Sequence, residues 1–118
     1  MKIDNAIASV AVKNLKAATV WYEKLFRRPA DSTPITEVAE WKFERGGWLQ
    51  VYELPERAGA GSCTFAVSDI ADVIAHLKSL GIDTSQASSG SNVETVMITD
   101  PDGNHLAFAE TIDPSMAR

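Results

Sequence analysis

Two histidines and one cysteine are all the imidazole and thiol that this 118-residue chain contains. A lone cysteine, Cys63, closes no internal disulfide, and a reducing cytoplasm is the simplest compartment for such a chain. Transition-metal sites draw on imidazole, thiolate and carboxylate, and of these the imidazole and thiolate supply is thin. Basic residues are also scarce, 11 against 16 acidic ones, and none gather into a run. That excludes the concentrated positive face a nucleic acid needs. The net charge of −5 mildly favours a cationic ligand instead. No apolar stretch reaches the length of a signal peptide or a bilayer span, so no membrane partner is expected. Neither a Ser-His-carboxylate nor a Cys-His arrangement can be traced, and no catalytic residue is assigned.

What remains is 45% hydrophobic and 23% charged, the make-up of one globular domain spanning residues 1–118. Within it the chain repeats. Residues 46–53 (Gly-Gly-Trp-Leu-Gln-Val-Tyr-Glu) align with 103–110 (Gly-Asn-His-Leu-Ala-Phe-Ala-Glu) at an offset of 57. Residues 11–15 (Ala-Val-Lys-Asn-Leu) align with 66–70 (Ala-Val-Ser-Asp-Ile) at an offset of 55. Two matches at nearly one offset point to a duplicated unit of half the chain. The Pro- and Gly-rich segment 55–61 lies at the hand-over, dividing module one (about 3–54) from module two (about 62–111).

Local patterning gives each module the same order. Residues 3–12 alternate as a strand, and Asn14 caps a helix to about 26 with Leu15, Ala18, Tyr22, Leu25 and Phe26 as its apolar stripe. Short strands are expected near 35–38 and 40–45, and a Gly46-Gly47 turn leads into a strand at 48–53. In module two a strand at 62–67 precedes a helix capped by Asp69, with Ile70, Val73, Ile74 and Leu77 buried and Gly81 ending it. Residues 85–92, rich in Ser and Gly, read as a mobile loop, and 93–99 with 104–110 as a hairpin. Asp100-Pro101-Asp102-Gly103 at its tip suits a type I turn, with Gly103 free to take positive φ. The tail after Thr111 has no pattern and is expected to fray. The class is α+β, two tandem β-α-β-β-β modules.

Alternation also sorts the strand residues into two faces. Ala8, Val10, Val12, Leu49, Val51, Cys63, Phe65, Val67, Leu106 and Phe108 form an apolar side for the helices. The other side carries Ser9, Trp48, Gln50, Tyr52, Thr64 and His105 among small residues. Such a mixture is too polar for a core and too poor in Lys and Glu for an ordinary solvent face, so it is a candidate ligand surface. His76, off the stripe of its helix, and the strand-end carboxylates Glu53 and Glu110 are expected to be solvated.

The doubled β-α-β-β-β pattern, together with residues 9–15 (Ser-Val-Ala-Val-Lys-Asn-Leu), 21–26 (Trp-Tyr-Glu-Lys-Leu-Phe) and 100–104 (Asp-Pro-Asp-Gly-Asn), resembles the vicinal oxygen chelate superfamily, the glyoxalase/bleomycin-resistance/dioxygenase group. The resemblance implies a curved, incomplete eight-stranded barrel with its helices outside, and chains that commonly pair as homodimers. It also implies metal ligands at four positions, which the motifs place at Ile7, Gln50, Ser62 and Ala107. Ile and Ala have no donor atom and a neutral Ser is a poor one, so neither metal nor cofactor is expected. The reading is a metal-independent binding protein of the bleomycin-resistance type that sequesters an aromatic or cationic compound. Ser9, Trp41, Trp48, Gln50, Tyr52, Thr64 and His105 are its candidate contacts. The alternative is a glyoxalase-like lyase or dioxygenase-type enzyme with an atypical metal site.

Overall fold

The computed structural model describes residues 1–90 and 92–111; the expectation for the tail after Thr111 lies outside these residues. The described residues form two compact units, 1–61 together with 101–104, and 62–100 together with 105 onward.

In the first unit β1 (Ile7–Val12) pairs in parallel with β4 (Trp48–Glu53), and β3 (Val38–Lys42) and β2 (Ser32–Ile35) extend the sheet antiparallel in the order β1-β4-β3-β2. The second unit has the same plan, β5 (Ser62–Ala66), β8 (His105–Thr111), β7 (Val93–Thr99) and β6 (Ala87–Ser89), in the order β5-β8-β7-β6. The eight expected strands are thus two four-stranded mixed sheets and not one closed barrel. Each sheet has one helix, α1 (Leu15–Phe26) or α2 (Ile70–Ser79). A short 3-10 turn, Pro55–Arg57, opens the segment between them.

The helices start where local chemistry says they should. Asn14 accepts from Ala17 N at 2.9 Å and Asp69 from Asp72 N at 3.1 Å, each satisfying an otherwise orphaned N–H. A second acceptor arrives from far along the chain: Glu53 is exposed, as expected, yet also bonds the helix start, and Glu110 is half-buried rather than fully solvated. Glu53 takes the Leu15 N–H at 2.9 Å, and Glu110 takes the Ile70 N–H at 2.7 Å. Parallel pairing explains this. Val12 lies beside Glu53, and the helix begins three residues after Val12, so the carboxylate meets the positive end of the helix dipole. The repeat also extends to the turns: Gly46 and Gly103 have φ of 95° and 99°, a conformation that any Cβ would strain.

Several boundaries differ from expectation. β1 begins at Ile7, because its partner β4 begins at Trp48 and residues 3–6 have nothing to pair with. β2 and β3 lie earlier than expected, joined by a turn at Thr36 and Glu37. Within 85–92, residues Ala87–Ser89 form a strand on β7, since an edge position needs only backbone hydrogen bonds and tolerates serine. His76 is half-buried, less solvated than expected.

The helix-facing side of the first sheet is closed by Val10, Val12, Ala39, Trp41, Leu49 and Val51, all buried. Tyr22 and Phe26 of α1 stack on Trp41 at 5.9 and 5.6 Å between ring centroids. In the second unit Ile70, Leu77, Val96, Ile98, Leu106 and Phe108 are buried, with one ring pair, Phe65 and Phe108, at 5.2 Å.

Candidate functional site

The face of the first sheet turned away from α1 is read most directly from its register. Ser9 lies opposite Gln50, Gln50 opposite Glu40, and Glu40 opposite Ser32, so one polar row crosses all four strands. Its side chains are joined: Ser9 Oγ donates to Gln50 Oε1 at 3.3 Å, and Gln50 Nε2 donates to Glu40 Oε2 at 3.0 Å. The Gln50 amide is therefore oriented from both ends, carbonyl toward Ser9 and amino group toward the carboxylate. Trp48 and Tyr52 flank Gln50 along β4, and both are half-buried. Lys42, the cross-strand neighbour of Trp48, holds its Nζ 5.9 Å from the centre of the Trp48 six-membered face.

Of the seven expected contacts, Ser9, Trp48, Gln50 and Tyr52 come together on this one face. Trp41 does not, and that expectation is corrected. The antiparallel register sets it opposite Leu49, on the helix-facing side, where it is fully buried and donates from Nε1 to the Arg28 carbonyl at 3.2 Å. Thr64 and His105 lie on the corresponding face of the second sheet, both exposed, with His105 beside Ser62 and Thr64 beside Ala107. Glu40 was missed. Its alternation with the buried Ala39 and Trp41 was the available signal, hidden because β3 had been expected at 40–45.

A separate depression is lined by Phe26, Arg28, Asp31, Lys42, Phe43 and Glu44. Its charges are committed to holding the chain: Asp31 Oδ2 accepts from Lys42 N at 2.7 Å and from Arg28, whose Nη2 also reaches the Lys42 carbonyl. The Lys42 N–H, and then the Arg28 guanidinium, lower the Asp31 pKa below the usual carboxylate value. In the second unit burial raises the Cys63 thiol, as befits a small core side chain.

Two β-α-β-β-β units, each with a parallel first-to-last strand pair, are the architecture of the vicinal oxygen chelate proteins. The solved structures agree. A glyoxalase/bleomycin resistance protein from Catenulispora acidiphila is 33% identical, with a TM-score of 0.82 over 91% of this chain and 97% of that one. An antibiotic-binding protein from a Streptomyces species is 18% identical (TM-score 0.79, covering 94% and 98%) and shares the fold. So does a lactoylglutathione lyase from Agrobacterium tumefaciens, also 18% identical (TM-score 0.75, covering 93% and 96%). No family model matches the sequence, and no curated protein sequence does either. The identity to the Catenulispora protein over nearly the full length of both chains makes this chain a member of the glyoxalase/bleomycin resistance family.

The metal that the superfamily implies does not fit the residues present. Ile7 and Ala107 offer no donor atom, Ser62 only a neutral hydroxyl, and the Gln50 carbonyl oxygen is already an acceptor for Ser9. Among the described residues no three His, Cys, Asp or Glu side chains gather where one ion could bind them.

Proposed function

We propose that this chain is a metal-independent small-molecule-binding protein, and that it sequesters an aromatic or cationic compound on the open face of its first sheet. The observation that carries this reading is the Ser9–Gln50–Glu40 hydrogen-bonded row set between two half-buried aromatic rings, Trp48 and Tyr52. Flat apolar surface supplies most of the binding energy in such sites, and a few oriented polar groups supply the choice of ligand. The antibiotic-binding protein from Streptomyces, which shares the fold, supports small-molecule binding as a role for this architecture. Thr64 and His105 are the candidate contacts of the second sheet, and pairing of chains as a homodimer belongs to the same reading.

The test is a fluorescence and thermal-shift screen with planar aromatic compounds. Trp48→Ala is expected to weaken binding by at least about tenfold, with Tm nearly unchanged because the ring is only half-buried. A stoichiometric transition ion held by protein prepared without chelator, and lost in Gln50→Ala, would overturn the proposal.

A further inference from the structure

We infer that Glu40 makes the open face of the first sheet selective for flat cations that carry an N–H donor at their edge, an inference resting on that face being a binding surface. Glu40 is half-buried, and its carboxylate accepts one hydrogen bond, from the neutral Gln50 amide. It forms no ion pair with another described residue, although Lys42 stands two positions along the same strand and the same face. A carboxylate partly withdrawn from water and left without a cation favours an incoming one, because a charge-assisted hydrogen bond is stronger than a neutral one. The neighbours suit an N–H donor and not a metal. They are the Ser32 hydroxyl opposite Glu40 in the row and the Gln50 amide, whose Nε2 meets the carboxylate and whose carbonyl turns toward Ser9, with Trp48 and Tyr52 flanking Gln50 along β4.

The chain's own cation shows the second half of the recognition. The Lys42 ammonium lies over Trp48 and not against Glu40, so the indole face attracts positive charge, and the chain's own lysine competes there with a cationic guest. Trp48 and Tyr52 are four residues apart on one strand, about 13 Å at ~3.3 Å per residue, with Glu40 reached from the midpoint through Gln50. A planar ligand lying along β4 therefore places an amine at its edge within reach of the carboxylate. The net charge of −5 raises the local concentration of such cations.

Three probes of similar flat, three-ring shape separate charge from shape: proflavine (cationic), acridine (neutral) and anthracenecarboxylate (anionic), titrated at neutral pH against the full chain. Proflavine is expected to bind tightest. Glu40→Gln, which keeps an acceptor for Gln50, should weaken proflavine about tenfold and leave acridine unchanged. Lys42→Ala should have the opposite sign, strengthening proflavine and weakening anthracenecarboxylate. If all three probes bind alike and neither variant changes their order, the role of Glu40 is overturned while the binding surface stands. If none of the three binds, and Trp48→Ala changes nothing in the wider screen, both readings fall together.

Discussion

The two modules share how they are built and differ in what they display. Each helix begins under two acceptors, Asn14 and Glu53 in the first module and Asp69 and Glu110 in the second. Each last strand follows a glycine at φ near the same positive value. On the open faces the likeness ends. The first sheet shows Glu40, Lys42, Trp48, Gln50 and Tyr52; the second shows Ser62, Thr64, Ala66, Met97, His105 and Ala107. The residues alike in both modules are those at the helix starts and the turn glycines, while those on the open faces differ. That is the pattern expected when one scaffold is used twice and only one of its sheets is furnished with large polar and aromatic groups.

The largest test of this comparison lies in the two turns. Asn104 is fully buried; its Oδ1 accepts from Gly61 N and its Nδ2 donates to the Ala11 carbonyl, both at 2.8 Å. Its repeat equivalent, Gly47, has open space around it. Asn104→Ala strands one buried and one part-buried backbone group and is expected to cost about 2–4 kcal/mol in denaturant unfolding, against roughly 0.5 kcal/mol or less for Gly47→Ala. Equal effects would mean the turns are interchangeable. Next come the helix-starting glutamates. Glu53→Ala and Glu110→Ala should each cost about 0.5–2 kcal/mol, with Glu110 the larger because it is the more buried. A loss in only one would break the symmetry claimed for them.

The smallest effect is on acid stability. Asp31 and Asp83 both have lowered pKa values, Asp31 chiefly through the Lys42 N–H and Asp83 chiefly through the Ser85 N–H. A depressed carboxylate stabilises the fold fully above its unfolded pKa, near 3.8, and that contribution is lost as pH falls through the folded value. Thermal melts taken from about pH 5 down to pH 2 should therefore show a shallower acid decline in Asp31→Asn and in Asp83→Asn than in the parent chain.

Both helices, their caps and the turn glycines were legible because each depends on residues within one turn of one another. The role of Glu53 was not, since its partner is 38 residues away and only the parallel pairing brings them together. Trp41 lies on the other face and Glu40 escaped notice for one reason: a five-residue strand has faces only once its register is known, and the short loop before β3 leaves that register open. The Ser-rich stretch at Ala87–Ser89 carried loop composition into a strand, because an edge position asks nothing of its side chains.

Asn104 has a consequence for how this chain can be cut. Residues 101–104 belong to the first compact unit although about a third of the sequence separates them from it. Their fit is close: a Cβ on Gly61 would come within 2.9 Å of the Asn104 side chain, and one on Gly59 within 2.3 Å of the Asp102 carbonyl. A gene trimmed after residue 61 would thus encode an opening half without its own clasp. The first unit is completed only by four residues that its own half of the sequence does not carry.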